Sequence, residues 1–401
     1  MGLRISRRAA SVAPSATLEV LRAAASLRER GVDVVDLGPG EPDFHTPEFI
    51  KEAAVGAIRA NFTKYTDAFG IPELRFAISD HYRRAWNCPW PSRNVLVTAG
   101  GKQALHTACL ALFEEGDDVL VPRPYWVSFP EMVRLAGARP VFVPTSGKEG
   151  FRLTALAVEK AATPATRGLI VNTPNNPTGA VMTPEEIESI VRLAAKRGWV
   201  VVFDECYDRL VYEGTHFSAA ALAAAFAETV LVCGSLSKTY ALTGWRIGFA
   251  LGHEELIGMM GRIVSHATTS VCSITQRAAL AALTSPDEAE AATHAMIREY
   301  TKRRAFLVPA LNALPGVFCT PPGGALYAFP DVSAHFGKRL GGIELTGSAA
   351  FAKALLETVA VAVTPGIAFG EERCIRLSFA TSMERLREGI DRMGKALGEI
   401  G

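Results

Sequence analysis

Between residues 94 and 233 the chain alternates short runs of Val, Leu and Ile with longer helix-like stretches, and this leaves few folds open. The runs lie at 94–98, 118–121, 139–143, 167–171, 200–203 and 230–233 and are apolar almost throughout. Strands buried on both faces read as continuous apolar runs, and intervening helices cover them in a mostly parallel α/β sheet. Ligands of such sheets bind beyond the carboxyl ends of the strands. The residues just past each run are therefore the first candidates for chemistry.

Past 230–233 comes Ser235-Leu236-Ser237-Lys238-Thr239-Tyr240-Ala241-Leu242-Thr243-Gly244-Trp245-Arg246-Ile247-Gly248. Lys238 here is either a solvated loop cation or an amine held ready for a carbonyl, which requires partial desolvation and fixed neighbours. Ser235, Ser237 and Arg246 would suit a phosphate monoester, with two hydroxyl donors and one permanently charged planar fork. A lysine bonded to an aldehyde whose phosphate is anchored beside it describes pyridoxal phosphate. The same string also reads S-x-x-K, the nucleophile pattern of penicillin-recognising serine enzymes. Their S-D-N and K-T-G partners occur nowhere in the chain.

Past 200–203, Asp204 sits where a buried carboxylate is costly without a cation. It is either a structural cap or ion pair, or the partner of a protonated pyridine nitrogen. Past 167–171, Asn172-Thr173-Pro174-Asn175-Asn176-Pro177-Thr178-Gly179 is a rigid loop. Asn176 there is either a turn residue or a donor to a phenolic oxygen. Trp126, on the loop past 118–121, belongs either to the core or on the face of an aromatic ring. Gly100-Gly101-Lys102-Gln103 offers backbone N–H groups at a helix start, an anion cradle without Walker A spacing. The loop Gly38-Pro39-Gly40-Glu41-Pro42-Asp43 is either a plain turn or a place where backbone approaches a ligand closely.

Composition excludes several other classes. Lys and Arg total 42 against 41 Asp and Glu, so neither nucleic acid nor an acidic tail is indicated. The seven cysteines, Cys88, Cys109, Cys206, Cys233, Cys272, Cys319 and Cys374, include no C-x-x-C pair. That fits reduced thiols in a cytoplasmic protein. No H-E-x-x-H occurs, and no metal site is expected. The alanine-rich stretch 219–227 is too short to span a membrane, and no secretory apolar segment is seen.

Helical spacing predicts helices over 18–30, 47–61, 72–86 and 103–113, and a long helical region over 254–283. Helices over 286–313, 346–358 and 383–397, with strands at 324–329 and 373–379, predict a smaller α+β domain. The expected division is a large cofactor-binding domain over 46–285, and a small domain from 286–401 with the arm 1–45.

Taken in order, these strings resemble one family: the fold-type I, pyridoxal phosphate-dependent class I aminotransferases, in the bacterial aspartate aminotransferase branch Ib. The matching stretches begin with Gly40-Glu41-Pro42-Asp43-Phe44, Lys64-Tyr65-Thr66, Gly70-Ile71-Pro72-Glu73-Leu74-Arg75 and Gly100-Gly101-Lys102-Gln103-Ala104-Leu105. They continue with Pro124-Tyr125-Trp126-Val127-Ser128, Asn175-Asn176-Pro177-Thr178-Gly179, Asp204-Glu205 and Ser237-Lys238. Gly244-Trp245-Arg246-Ile247-Gly248 and Arg376-Leu377-Ser378-Phe379-Ala380-Thr381-Ser382 complete the series. The resemblance implies that Lys238 bonds the cofactor and moves the substrate proton. It implies that Asp204 pairs with the pyridine nitrogen, that Asn176 and Tyr207 meet the ring hydroxyl oxygen, and that Trp126 stacks on the ring. Ser235, Ser237, Arg246 and the Gly101-Lys102 backbone would hold the phosphate, aided by Tyr65 from the second subunit of a homodimer with shared sites. Arg376 would clamp the substrate α-carboxylate beside the Gly40 backbone, with Trp126 and Asn176 also facing the substrate.

In that branch a threonine of the N-terminal arm and the lysine of G-G-K-Q recognise the distal carboxylate, and Thr17 and Lys102 match both. The expected substrates are aspartate and glutamate with their 2-oxo acids, and prephenate. Aromatic or neutral amino acids and kynurenine are the alternatives. A cofactor-binding regulator of the same fold is not expected, since only a short arm precedes Pro14. Cys206 stands where an aliphatic residue is common; it reads as a small buried hydrophobe.

Overall fold

The computed structural model describes residues 3–13 and 16–400, with the side chain of Thr17 outside the described residues. Seven strands form the main sheet: β1 (Val95–Thr98), β2 (Asp118–Arg123), β3 (Arg139–Pro144), β4 (Thr166–Asn172), β5 (Val200–Asp204), β6 (Val230–Ser235) and β7 (Gly248–Gly252). Their spatial order is β1-β7-β6-β5-β4-β2-β3. β2 to β6 pair in parallel, and β7 lies antiparallel between β1 and β6. The apolar runs are therefore the strands of a mostly parallel sheet, as their composition predicts.

Because side chains alternate across a strand, each run feeds two cores. Val95, Val97, Val201, Phe203 and Val232 pack on one face against helices Pro72–Trp86, Pro184–Arg197 and Ser273–Thr284. Leu96, Val202, Leu231 and Cys233 pack on the other against Gly101–Leu112, Ser128–Leu135 and Glu254–Ala267. The helix ends carry their own signals. Thr183 and Glu186 form a reciprocal capping box at the start of Pro184–Arg197, and Gly198 closes it at φ 69°.

The C-terminal part of the chain builds most of a separate cluster. It joins helices Pro286–Asn312, Ser348–Val359 and Met383–Gly398 to an antiparallel sheet of Thr364–Pro365, Ile375–Ser378 and Tyr327–Ala328. Val35–Asp36 pairs in parallel with Val361–Ala362. Among the described residues no helix is long and apolar enough to cross a membrane.

Two details depart from the sequence expectation. The region 254–283 is two helices, Glu254–Ala267 and Ser273–Thr284, broken where Thr269 takes a left-handed φ of 64°. Strand β7 was not anticipated, because Gly248-Phe249-Ala250-Leu251-Gly252 lacks β-branched residues.

Gly248 locks this strand, paired on both sides, to the start of Gly101–Leu112. A Cβ there would lie 2.4 Å from the Gly101 nitrogen and 2.8 Å from the Gly234 carbonyl oxygen, both backbone atoms. Gly248→Ala should therefore destabilise the fold by about 1–3 kcal/mol, the usual cost of overpacking, read as a lowered urea midpoint.

Candidate active site

The parallel strands end in register, and the register builds the site. Asn172 pairs with Asp204, Asp204 with Cys233, and Ser235 with Gly248, which also faces Thr98. Since β7 runs the opposite way, its entry, at Arg246 and Ile247, lies at this same edge. A cavity of about 740 Å³ opens there, and Lys238, Asp204, Asn176, Trp126, Lys102 and Arg376 are among its walls.

Lys238 follows β6 in a tight turn and is half-buried, its Nζ donating to the Gly40 carbonyl. Gly40 admits nothing larger, since a Cβ would come within 2.7 Å of the Tyr327 hydroxyl. Beside the lysine, the Ser235 and Ser237 hydroxyls are bonded at 2.8 Å, and the Ser237 N–H donates to Ser235 Oγ. Arg246 holds a left-handed φ of 55° and donates to the Thr243 carbonyl at 2.8 Å. Gly100 at φ 82° passes so close that a Cβ would meet Arg246 Nη2 at 2.6 Å. Helix Gly101–Leu112 starts here with no side chain capping it. Uncapped N–H groups, two hydroxyls and a guanidinium thus converge on one anion-sized corner.

Asp204 is buried at the end of β5, and Oδ1 accepts the Cys206 N–H at 3.1 Å. Burial pushes its carboxyl up to about 7, against the pull of that N–H and of Lys238. Among the described residues no cationic side chain forms an ion pair with it, Lys238 acting only through its charge. Cys206 lines the cavity, and burial raises its thiol to about 12, so it stays protonated. Asn176 is held by its backbone N–H on Asn172 Oδ1 at 2.7 Å and accepts from Arg376 Nη1 at 3.1 Å.

Arg376 reaches the cavity from the C-terminal cluster. Its side chain is only 2% exposed, with Nη2 on the Gly38 carbonyl at 2.7 Å. The guanidinium stacks over Tyr327 at 4.3 Å and Phe369 at 4.9 Å, while Nε has no hydrogen-bond partner among the described residues. Across the opening, Lys102 Nζ donates to Ser128 Oγ at 3.1 Å and lies 4.6 Å over the Trp126 ring. Desolvation, then the charge of Arg246, lowers its ammonium pKa.

The structure thus brings together Gly40, Gly101, Lys102, Trp126, Asn176, Asp204, Tyr207, Ser235, Ser237, Lys238, Arg246 and Arg376. Tyr65 is not brought in: it is 88% exposed and off this cavity in the single chain. Sequence reasoning missed Asn172, Ser128 and Tyr327. Asn172 lies one step past its strand run, where the strand-end rule points; Tyr327, inside a strand-like stretch, gave no such signal.

Comparison with known proteins identifies the family. The family described as "Aminotransferase class I and II" matches residues 32–393. The aspartate/prephenate aminotransferase of Cereibacter sphaeroides is 43% identical over 387 residues, 96% of each chain. That of Thermus thermophilus is 43% identical over 98% of this chain and 99% of its own. The structure of Thermus thermophilus aspartate aminotransferase with maleate superposes with a TM-score of 0.93 at 42% identity, covering 98% of this chain and 100% of that one. The aspartate aminotransferase from Rhizobium meliloti gives 0.94 at 36% identity over the whole of both chains. The chain is a transaminase and belongs to the class I and II aminotransferases.

Proposed function

We propose that this transaminase uses pyridoxal phosphate at Lys238 to move an amino group between aspartate or glutamate and their 2-oxo acids, with prephenate as a further acceptor. The observation that carries the reading is Arg376: a buried guanidinium, its Nε without a hydrogen-bond partner among the described residues, on the wall of the cavity that holds Lys238. The aspartate and prephenate in the names of the relatives support the substrate class.

The residues present fit the cofactor. Asp204 has no ion-pair partner among the described residues, an uncapped helix start stands beside two serines and an arginine, and a lysine amine lies between them. When bound, pyridoxal phosphate supplies the electron sink that makes an amino-acid α-proton removable. Lys238 would hold it and would carry that proton on Nζ. Asp204 keeps the ring nitrogen protonated. Ser235, Ser237, Arg246 and the backbone of Gly101 and Lys102 hold the phosphate, with Tyr65 of a second copy completing a homodimeric site. Trp126 covers the ring, and Asn176 and Tyr207 fix its hydroxyl oxygen. Arg376 and the Gly40 backbone orient the substrate α-carboxylate, whereas Lys102 and Thr17 select the distal one. We also propose the division of the chain at 46–285 against 1–45 with 286–401, and a cytoplasmic location.

Arg376→Ala should lower kcat/KM for aspartate by about 30- to 5,000-fold, the range for truncating one partner of a buried charge pair. Steady-state kinetics that moved by less than threefold would contradict the clamp. Lys102→Ala should cost about 10- to 150-fold with aspartate or glutamate, the weight of a hydrogen bond to a charged group. A neutral donor such as alanine should be unaffected, and equal losses on both would remove the distal-carboxylate role.

Asp204 makes a pH prediction for the cofactor-free protein. Its folded value of about 7 stands above the ordinary 3.8, so the folded state holds this proton more tightly than the unfolded chain. The stability it contributes is complete below about pH 4 and is lost as pH rises through 7. Asp204→Asn should abolish this, gaining on the parent by at most a few kcal/mol between those pH values in urea unfolding.

A further inference from the structure

Tyr327 lies on the short strand Tyr327–Ala328 of the C-terminal cluster, yet its hydroxyl reaches Tyr207, which follows β5. The two oxygens are 2.8 Å apart, and the rings meet edge to face at 5.9 Å and 80°. Both side chains are buried, Tyr327 to 1% exposure and Tyr207 to 4%. The same ring backs the Arg376 guanidinium at 4.3 Å. Its hydroxyl also fills the space a Gly40 side chain would need, and the Gly40 carbonyl accepts Lys238 Nζ.

Counting protons decides what the pair does. Each phenol has one O–H to give and lone pairs to accept with. If Tyr207 gives its proton to the cofactor's ring oxygen, the short bond between the tyrosines requires Tyr327 to be the donor. A hydroxyl that accepts a hydrogen bond becomes a better donor itself, and burial in low dielectric strengthens the chain.

We propose that Tyr327 is a positioning residue that polarises and aims the Tyr207 hydroxyl at the cofactor's ring oxygen while its ring separately supports Arg376. The inference rests on the assignment of pyridoxal phosphate to Lys238 and deepens it. The two supports are separable: Tyr327→Phe keeps the ring and loses only the hydroxyl.

The test uses the holoenzyme and three readouts: the dissociation constant of pyridoxal phosphate, the pH midpoint of the lysine-bound cofactor's absorbance, and the dissociation constant of maleate. A weaker donor leaves the ring oxygen more basic, so its neighbouring nitrogen keeps its proton to higher pH. Tyr327→Phe should raise the midpoint by about 0.3–0.7 unit, of the order of one neutral hydrogen bond. It should weaken cofactor binding about two- to fivefold, within one such bond, and leave maleate binding within about twofold. In a Tyr207→Phe background the same change should move neither cofactor readout, because the effect passes through that hydroxyl. An unmoved midpoint, or an equal shift in both backgrounds, overturns the proposal. Tyr327→Leu should weaken maleate binding where Tyr327→Phe does not; equal binding by both removes the role of the ring. If the parent protein binds no pyridoxal phosphate at Lys238, the assignment beneath it fails, which this measurement separates from failure of the tyrosine pair.

Discussion

Two consecutive carboxylates at the end of the central strand set the terms for the rest of the structure. Glu205 is buried and takes two hydrogen bonds, from the Ser218 hydroxyl at 2.7 Å and the Ala219 N–H at 2.9 Å, with His216 Nε2 3.3 Å away. Asp204, facing the cavity, takes the Cys206 N–H, and its carboxyl rises to about 7. Burial alone does not tell a functional acid from a structural one; the inventory of partners does. Strand pairing on both sides keeps Asp204 from turning toward water. The desolvation it suffers is therefore fixed by the sheet.

The cations follow the same logic. Arg139, paired to Asp118 through two bonds of 2.6 Å, has its charge answered within the protein. Arg376 spends its Nη groups on carbonyl and hydroxyl oxygens and the Asn176 side chain, all neutral, and lies against two aromatic faces. Neutral partners and π faces hold a guanidinium in place without cancelling its charge. Such an arginine is preorganised for an anion and discharged by none of its neighbours.

Most of this was legible in the sequence for one reason: a parallel sheet places its chemistry at the carboxyl ends of apolar runs, and those runs are conspicuous. Asp204, Asn176, Trp126 and Ser235 could be located by position before any contact was known. β7 was hidden because its two glycines and lack of β-branched residues give no strand signal, although the sheet needs small residues where it meets Gly100 and Gly101. The break after Ala267 was hidden because Thr, Ser and Val neither demand nor forbid a helix end. Tyr327 was hidden for another reason. Its importance lies in a hydroxyl meeting a residue 120 positions away, and a tyrosine in a strand reads as ordinary core.

The loop from Gly38 to Asp43 shows how distant parts of the chain become one site. Its Gly38 carbonyl takes Arg376 Nη2, its Gly40 carbonyl takes Lys238 Nζ, and its Asp43 carboxylate takes Arg303 Nη1 at 2.8 Å from the long helix Pro286–Asn312. Glu41 takes the Thr243 hydroxyl at 2.8 Å, tying the loop to the turn that carries the lysine. A segment bound to the amine, to the guanidinium and to the helix behind them cannot shift against one alone. Proline at positions 39 and 42 narrows its backbone further. The placement of Lys238 relative to Arg376 is thus set by backbone carbonyls of one short loop. The long side chains only follow it.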